Sequence, residues 1–183
     1  MNRLIRYLKF TPNLGITFHQ GDSSVFQLEA YTDSTFGGED CDTAKSQTGN
    51  LILLGGGPVD WSSHLQSTIA LSSAEAEQMA AFSASRSVVH FRQLLEELGQ
   101  KQLGATVVWA DNTAAISQSR NPIAHQRTRH VLICYHYLRE LHNTGIVRLE
   151  YICTRDQVAD ILTKPLLPKD FNRLRPFIVS STS

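Results

Sequence analysis

Ser72-Ser73-Ala74-Glu75-Ala76-Glu77-Gln78-Met79-Ala80 reads as the start of a long helix that runs to about Gly99. With Glu77 as origin and 100° per residue, Ala80, Ala84, Val88, Phe91, Leu95 and Leu98 fall within roughly 60° of it. That face is small or apolar along its length and is expected to pack on a core. Glu77 therefore puts a carboxylate at the edge of a buried face, where a charge is costly unless something cationic meets it. Glu75 points about 160° away on the same geometry. It has a local role in a capping box, Ser72-Ser73-Ala74-Glu75, reaching back to the Ser72 amide. Glu77 has no such role, so the remainder of the chain must supply what meets it.

The chain has 183 residues, 42% of them hydrophobic. That fits one domain, or one domain with an appendage, with enough apolar matter for a core. No apolar run approaches the roughly 18 residues of a membrane span, so no membrane partner is expected. The basic, apolar start Met1-Asn2-Arg3-Leu4-Ile5-Arg6 is interrupted by Lys9 and Pro12 before a secretory core region can form. Cys41, Cys134 and Cys153 are odd in number, widely spaced and without a CxxC pair. This points to a reduced, intracellular chain with no zinc site.

Basic and acidic residues balance at 17 each, which argues against a bulk nucleic-acid binder, but their distribution is uneven. Acids dominate between Asp22 and Asp42. Between Arg120 and Arg148 stand five arginines, four histidines (His125, His130, His136, His142) and one acid, Glu140. That segment is locally cationic, either a solvated basic face or a nucleic-acid contact.

The helix sits within a regular order of elements. Residues 3–10 form a short amphipathic piece before the turn at Thr11-Pro12-Asn13. Val25–Asp33 is expected as a strand ending on an acid, Thr48–Leu54 as a second, and Val59–Ser63 as the start of a third. Gly55-Gly56-Gly57-Pro58 is a hairpin turn; no Gly-Lys-Ser/Thr follows to make it a phosphate cradle. After the long helix, Ala105–Asp111 is an apolar strand closing on an acid, and Asn112–Ser119 a short helix. Arg127–Asn143 is a helix with Val131, Tyr135 or Leu138, and Leu141 spaced for packing. Ile146–Ile152 is a fifth strand, Asp156–Lys164 a helix, and Lys169–Phe177 a last short helix. Trp61 and Trp109 are expected in the core. Three strands joined by short turns make an antiparallel meander, and the strand–helix–strand units that follow make parallel neighbours. The fold class is α/β: a mixed five-stranded sheet, three antiparallel strands then two parallel, with helices on its faces.

Four acids occupy element ends or helix faces in this order. Asp33 closes the first strand, Asp111 the fourth, Glu77 lies in the second turn of the long helix, and Asp160 is in the helix after the fifth strand. The first and fourth strands would be central neighbours, which sets Asp33 beside Asp111. Clustered carboxylates repel one another unless divalent cations neutralise them. All-oxygen donors favour Mg²⁺ or Mn²⁺ over zinc or copper. Two such ions suit phosphoryl chemistry, one activating water and one stabilising the leaving oxygen. Any one of these acids taken alone is a strand-end or surface residue; four in these positions argue for a site.

Several motifs now fall in order: Tyr31-Thr32-Asp33; Gln66-Ser67-Thr68-Ile69-Ala70-Leu71 leading into Ser72–Glu77; Asp111-Asn112; Asn121-Pro122 with His125-Gln126-Arg127-Thr128-Arg129-His130; and Gln157-Val158-Ala159-Asp160-Ile161-Leu162-Thr163-Lys164. The series, spanning Tyr31 to Leu167, resembles the ribonuclease H domain of copia-type retrotransposon Pol polyproteins. Arg6-Tyr7-Leu8-Lys9 and Thr11-Pro12-Asn13-Leu14-Gly15 resemble the reverse transcriptase tail that precedes it. The resemblance implies a ribonuclease H-like domain at 21–168, a connection segment at 1–20 and a tail at 169–183. It implies endonucleolytic cleavage of the RNA strand of RNA–DNA hybrids during reverse transcription, with two Mg²⁺ or Mn²⁺ ions held by Asp33, Glu77, Asp111 and Asp160. It also implies a reverse transcriptase domain of the same polyprotein as partner, and a cytoplasmic or nuclear rather than secreted location. Ser73, Asn112, Arg127, Arg129 and His130 are the residues it assigns to nucleic acid. The histidines lack the carboxylate or cysteine pattern of a zinc site. Arg127, Arg129 and His130 are read as phosphate contacts or as hydrogen-bonding groups at a helix start.

The chain departs from the family pattern at four places. Thr35 replaces the second acid of the first strand, Gln78 follows Glu77 where tyrosine is common, and His64-Leu65 replaces basic residues. Cys153-Thr154-Arg155 carries no histidine before the last acid, so proton transfer to the leaving oxygen is left to water. The competing reading is a catalytically weak or inactive domain of the same fold that binds nucleic acid or serves a structural role. A third is a nuclease of the same fold that acts on DNA.

Overall fold

A computed structural model describes residues 2–18, 26–37, 43–113, 116–117 and 129–181. Among the described residues the chain runs α1 (Asn2–Phe10), β1 (Leu14–Gly15), β2 (Leu28–Thr35), β3 (Gln47–Leu54), β4 (Gly57–Leu65), α2 (Ser73–Glu97) and β5 (Thr106–Ala110). It continues through α3 (Arg129–Asn143), β6 (Val147–Tyr151), α4 (Asp160–Thr163), α5 (Pro168–Leu174) and β7 (Ser180–Ser181). The sheet order is β4-β3-β2-β5-β6. The pairs β4–β3 and β3–β2 are antiparallel, whereas β2–β5 and β5–β6 are parallel. This is the mixed five-stranded sheet expected from the order of elements. A second, two-stranded ladder joins β1 to β7, with Leu14 opposite Ser181.

The hairpin between β3 and β4 turns at Gly55 and Gly56, both at positive φ (57° and 75°), a conformation that glycine adopts without steric cost. α2 ends in a Schellman-type closure: the Gln100 amide donates to Leu95 O and Gly99 takes φ 75°. The apolar stripe of α2 is buried at Ala80, Ala84, Val88 and Leu95. Leu98 falls beyond the last turn and is exposed, contrary to the stripe read from spacing. α2 and α3 cover one face of the sheet, where Ala30, Ile52, Val108 and Leu149 meet Ala84, Val88, Leu138 and Leu141. The opposite face is covered in part by Val158, Leu162 and Ile178 over Leu51 and Leu53.

Several expected elements are corrected. β2 runs two residues past Asp33, to Thr35. The helix expected over Asp156–Lys164 is instead a 3₁₀ turn (Thr154–Asp156), a stretch with Gln157 extended, and the single turn α4. The reason is Gln157, which is fully buried and donates through Nε2 to Thr32 O (3.0 Å) and more weakly to Trp109 O (3.4 Å). Drawing that side chain under the sheet edge breaks the helical path. The last helix stops at Leu174 and tightens into a 3₁₀ turn, Arg175–Phe177, where Pro176 removes a helical donor. Neither tryptophan is core: Trp61 is 56% exposed on edge strand β4. Trp109 is half-buried, with its indole N–H donating to Glu29 Oε2 at 3.2 Å. The expected helix over 112–119 lies partly outside the described residues, as does the start of the first expected strand at Val25.

Candidate metal centre

The elements converge at one end of the central strands. Asp33 is carried by β2, and Asp111 follows the last residue of β5. The parallel β2–β5 pairing, with Tyr31 opposite Trp109, puts both acids at the same edge. Glu77 comes down from α2, whose start is tied to the sheet by Gln66. The Gln66 side chain, buried at the end of the meander, donates to Ala76 O (2.9 Å) and Thr48 Oγ1 (3.0 Å). A second buried relay, Thr32 to Asn50 Oδ1 (2.8 Å) and Asn50 to Ser83 Oγ (3.0 Å), ties β2 and β3 to α2 one turn and a half further on.

Asp33, Glu77 and Asp111 each bring one carboxylate oxygen within 4.8 Å of the other two. Asp33 and Glu77 are buried and Asp111 half-buried. Glu77 Oε1 accepts the Ser34 amide at 3.2 Å. Its other oxygen, Oε2, is buried with no hydrogen-bond partner among the described residues. Burial and the charges of Asp33 and Asp111 push the Glu77 carboxyl up to about 8. Burial and Asp33 also raise Asp111, against a hydrogen bond from Thr154 and the charge of Lys164.

Asp160 lies outside this group of three but adjoins Asp33, whose carboxylate acts on it directly. It is the first residue of α4 and is buried. Lys164, one turn later, donates from Nζ to Asp160 Oδ1 at 2.8 Å and lies 3.9 Å from Asp33 Oδ2. The Thr163 hydroxyl donates to the same Asp33 oxygen. Burial lifts Asp160 to about 6, opposed by the Lys164 hydrogen bond. No cation meets Glu77 among the described residues; its neighbours are acids and an amide.

A buried carboxylate with an unpartnered oxygen, beside two more carboxylates, is compatible with a bound divalent cation. The donors are all oxygen, as hard divalent ions require. Asp33, Glu77 and Asp111 fit such an ion, with Asp160 adjoining.

Ser73 is exposed in the first turn of α2, one turn before Glu77, and Asn112 directly follows Asp111. Arg129 and His130 begin α3; their side chains, and Arg127 entirely, lie outside the described residues. Glu75 caps α2 in a modified form. Its amide donates to Ser72 Oγ (3.2 Å), while its carboxylate accepts the Leu71 amide (3.1 Å) rather than that of Ser72.

Reading the sequence alone missed four residues. Gln66 and Gln157 stand in the sequence only as parts of motifs, although each is a buried side chain that braces a segment carrying one of the acids. Thr163 and Lys164 touch the acids directly. The spacing of Asp160 and Lys164, four apart, was a usable signal of a helical ion pair, but only once a helix starts at Asp160.

Compared with models of known protein families, the chain matches none. It is similar to the retrovirus-related Pol polyprotein from transposon RE1 of Arabidopsis thaliana, 37% identical over 166 residues, which is 91% of this chain and 11% of that protein. It is equally similar to the one from transposon TNT 1-94 of Nicotiana tabacum, 37% identical over 161 residues, 88% of this chain and 12% of that protein. The chain thus spans about a tenth of the length of these relatives. Among solved structures it is similar to LC11-RNase H1 in complex with an RNA/DNA hybrid, with a TM-score of 0.52 and 14% identity, covering 75% of this chain and 94% of that one.

Proposed function

Because the chain is a homologue of the Pol polyproteins of copia-type retrotransposons and carries the ribonuclease H fold, we propose that it cleaves the RNA strand of RNA–DNA hybrids. The observation that carries this is the Glu77 carboxylate, which is buried, has one oxygen without a partner among the described residues, and brings an oxygen within 4.8 Å of oxygens of Asp33 and Asp111. A protein keeps such a repulsive group only where something opposes the repulsion.

Asp33, Glu77, Asp111 and Asp160 would hold two divalent cations, Mg²⁺ or Mn²⁺. These supply the positive charge that makes water a nucleophile at neutral pH and stabilises a departing oxygen. The chain's own residues do the rest. The Ser34 amide and the Thr163 hydroxyl orient Glu77 and Asp33, so the carboxylates meet their ligand without reorganising. Thr154 holds Asp111 by a side-chain hydrogen bond. Ser73 and Asn112 flank the acids on α2 and after β5, where ribose and phosphate of a hybrid would lie, and Arg127, Arg129 and His130 would supply further phosphate contacts. The 2′-hydroxyl of the RNA strand would distinguish it from DNA.

Residues 21–168 form the proposed nuclease domain. Segment 1–20 would connect it to a reverse transcriptase domain of the same polyprotein and 169–183 would be a tail, the two meeting through β1 and β7. Lys164 favours one alternative: a site whose fourth acid already has a counter-ion could remain unloaded and serve only to bind nucleic acid. End-labelled RNA–DNA hybrid incubated with the protein and Mg²⁺ or Mn²⁺ separates the readings. Cutting within the RNA strand, leaving all-DNA duplex intact, is expected. Retained hybrid binding with no cutting at any cation concentration would establish the binding module instead.

A further inference from the structure

The Asp160 side of the acid cluster contains a cation of the chain's own. The side chains of Asp33 and Asp160 are 4% and 8% exposed, whereas that of Lys164 is 37% exposed. Two buried carboxylates thus share one ammonium that reaches them from solvent. The lysine lies along an open groove of about 550 Å³, walled by Thr35, Gln47, Ser63, Leu65 and Ile161, which leaves its four-carbon stem room to swing outward. Lysine is suited to this, as a compact charge on a flexible chain. The oxygen it holds, Asp160 Oδ1, is one of the two that a divalent cation at Asp160 could use. An ammonium and a divalent ion repel each other at that distance. Glu77 differs, since it retains an unpartnered oxygen and no ammonium touches it among the described residues, whereas Asp33 lies 3.9 Å from the Lys164 ammonium.

We propose that Lys164 is a resident counter-ion that a cation binding at Asp160 must displace. The cluster then loads in order, Asp33–Glu77–Asp111 first and Asp160 second, as Lys164 releases. This rests on reading the acids as a divalent-cation centre. By linkage, whatever holds Lys164 on Asp160 weakens the second ion by the same factor.

Calorimetric titration of the full chain with Mn²⁺, without nucleic acid, tests the order in wild type, Lys164→Met and Lys164→Arg. The expected result is a first binding step common to all three. The second step should be tighter in Lys164→Met by about tenfold, within the usual range of coupling between sites, with Lys164→Arg close to wild type. Where wild type takes up a single ion, Lys164→Met should take up two. In chelator, Lys164→Met should melt below wild type, and the gap should close at saturating Mn²⁺. A folded Lys164→Met with an unchanged or weaker second step overturns the ordering while leaving the cation centre intact. Absence of any Mn²⁺ binding in both wild type and Lys164→Met would overturn the centre, and the proposal with it.

Discussion

Asp33 and Gly49 are register partners across the antiparallel β2–β3 ladder, and the missing side chain of Gly49 is what admits α4 to the Asp33 carboxylate. A Cβ on Gly49 would come within 2.7 Å of Thr163 Cγ2 and 2.9 Å of both Ala159 O and Leu162 Cβ. One of these is backbone and cannot rotate away. Gly49→Ala is therefore expected to push α4 off the sheet, separating Thr163, Asp160 and Lys164 from Asp33. The cost should be about 1–3 kcal/mol, as for other overpacked cores, read from urea unfolding. Hybrid cleavage should fall more steeply than stability.

Glu77 makes the stability of the cation-free protein depend on pH. Its carboxyl titrates near 4.5 when unfolded and about 8 when folded, so the folded state binds the extra proton between those values. The stabilising contribution is complete below about 4.5 and is lost as pH rises through about 8. Chemical denaturation in chelator should show stability falling across this window, by an amount on the order of a few kcal/mol. Glu77→Gln should flatten that slope. Saturating Mg²⁺ or Mn²⁺ should also flatten it, because cation binding displaces the proton.

Glu75 and Glu77, in the first two turns of α2, separate cleanly. Glu77→Gln is expected to abolish cleavage while the fold is kept, since Glu77 faces Asp33 and Asp111. Glu75→Gln touches only an exposed cap hydrogen bond to Leu71 and should leave cleavage unchanged. Ser72→Ala should cost about 1 kcal/mol of stability, the usual value of a lost cap, again without loss of activity. Equal inactivation by Glu75→Gln and Glu77→Gln would contradict the assignment.

Gln157 is expected to behave as a core residue despite its polarity. Gln157→Leu would strip partners from Thr32 O, Trp109 O and the Ala159 amide. Each unsatisfied buried group costs about 1–3 kcal/mol, so a marked drop in melting temperature is expected. Asp160 begins its helix three residues later, and the cleavage rate should fall with it, with affinity for the hybrid retained.

Much of this arrangement was visible in the chain. The apolar spacing from Ala80 to Leu95 identified the face of α2. The strand at residues 106–110 closing on Asp111, and the glycines at 55 and 56, identified the meander and the parallel pair. These are local signals, carried by side-chain period and turn chemistry. Leu98 is exposed because α2 ends before it. Trp61 and the helix expected from Asp156 differ for another reason, since their surroundings are set by the sheet and by contacts far away in sequence. Trp61 lies on an edge strand with nothing over it, and the helix from Asp156 is broken by the reach of Gln157 to a strand 125 residues distant.

The sequence by itself pointed to three acids that gather, because Asp33 and Asp111 lie at strand ends and Glu77 on the buried face of a helix of readable period. It also determined that Glu75 and Glu77 have different duties, since a helix separates them by more than a right angle. Tertiary structure alone decided that three of the acids share a common space while Asp160 is held by Lys164, and that one Glu77 oxygen has no partner among the described residues. The physical reason is that burial and charge proximity are properties of packing. Whether a carboxylate meets an amide, an ammonium or another carboxylate depends on backbone approaches such as that of α4 to Gly49, which no local pattern encodes.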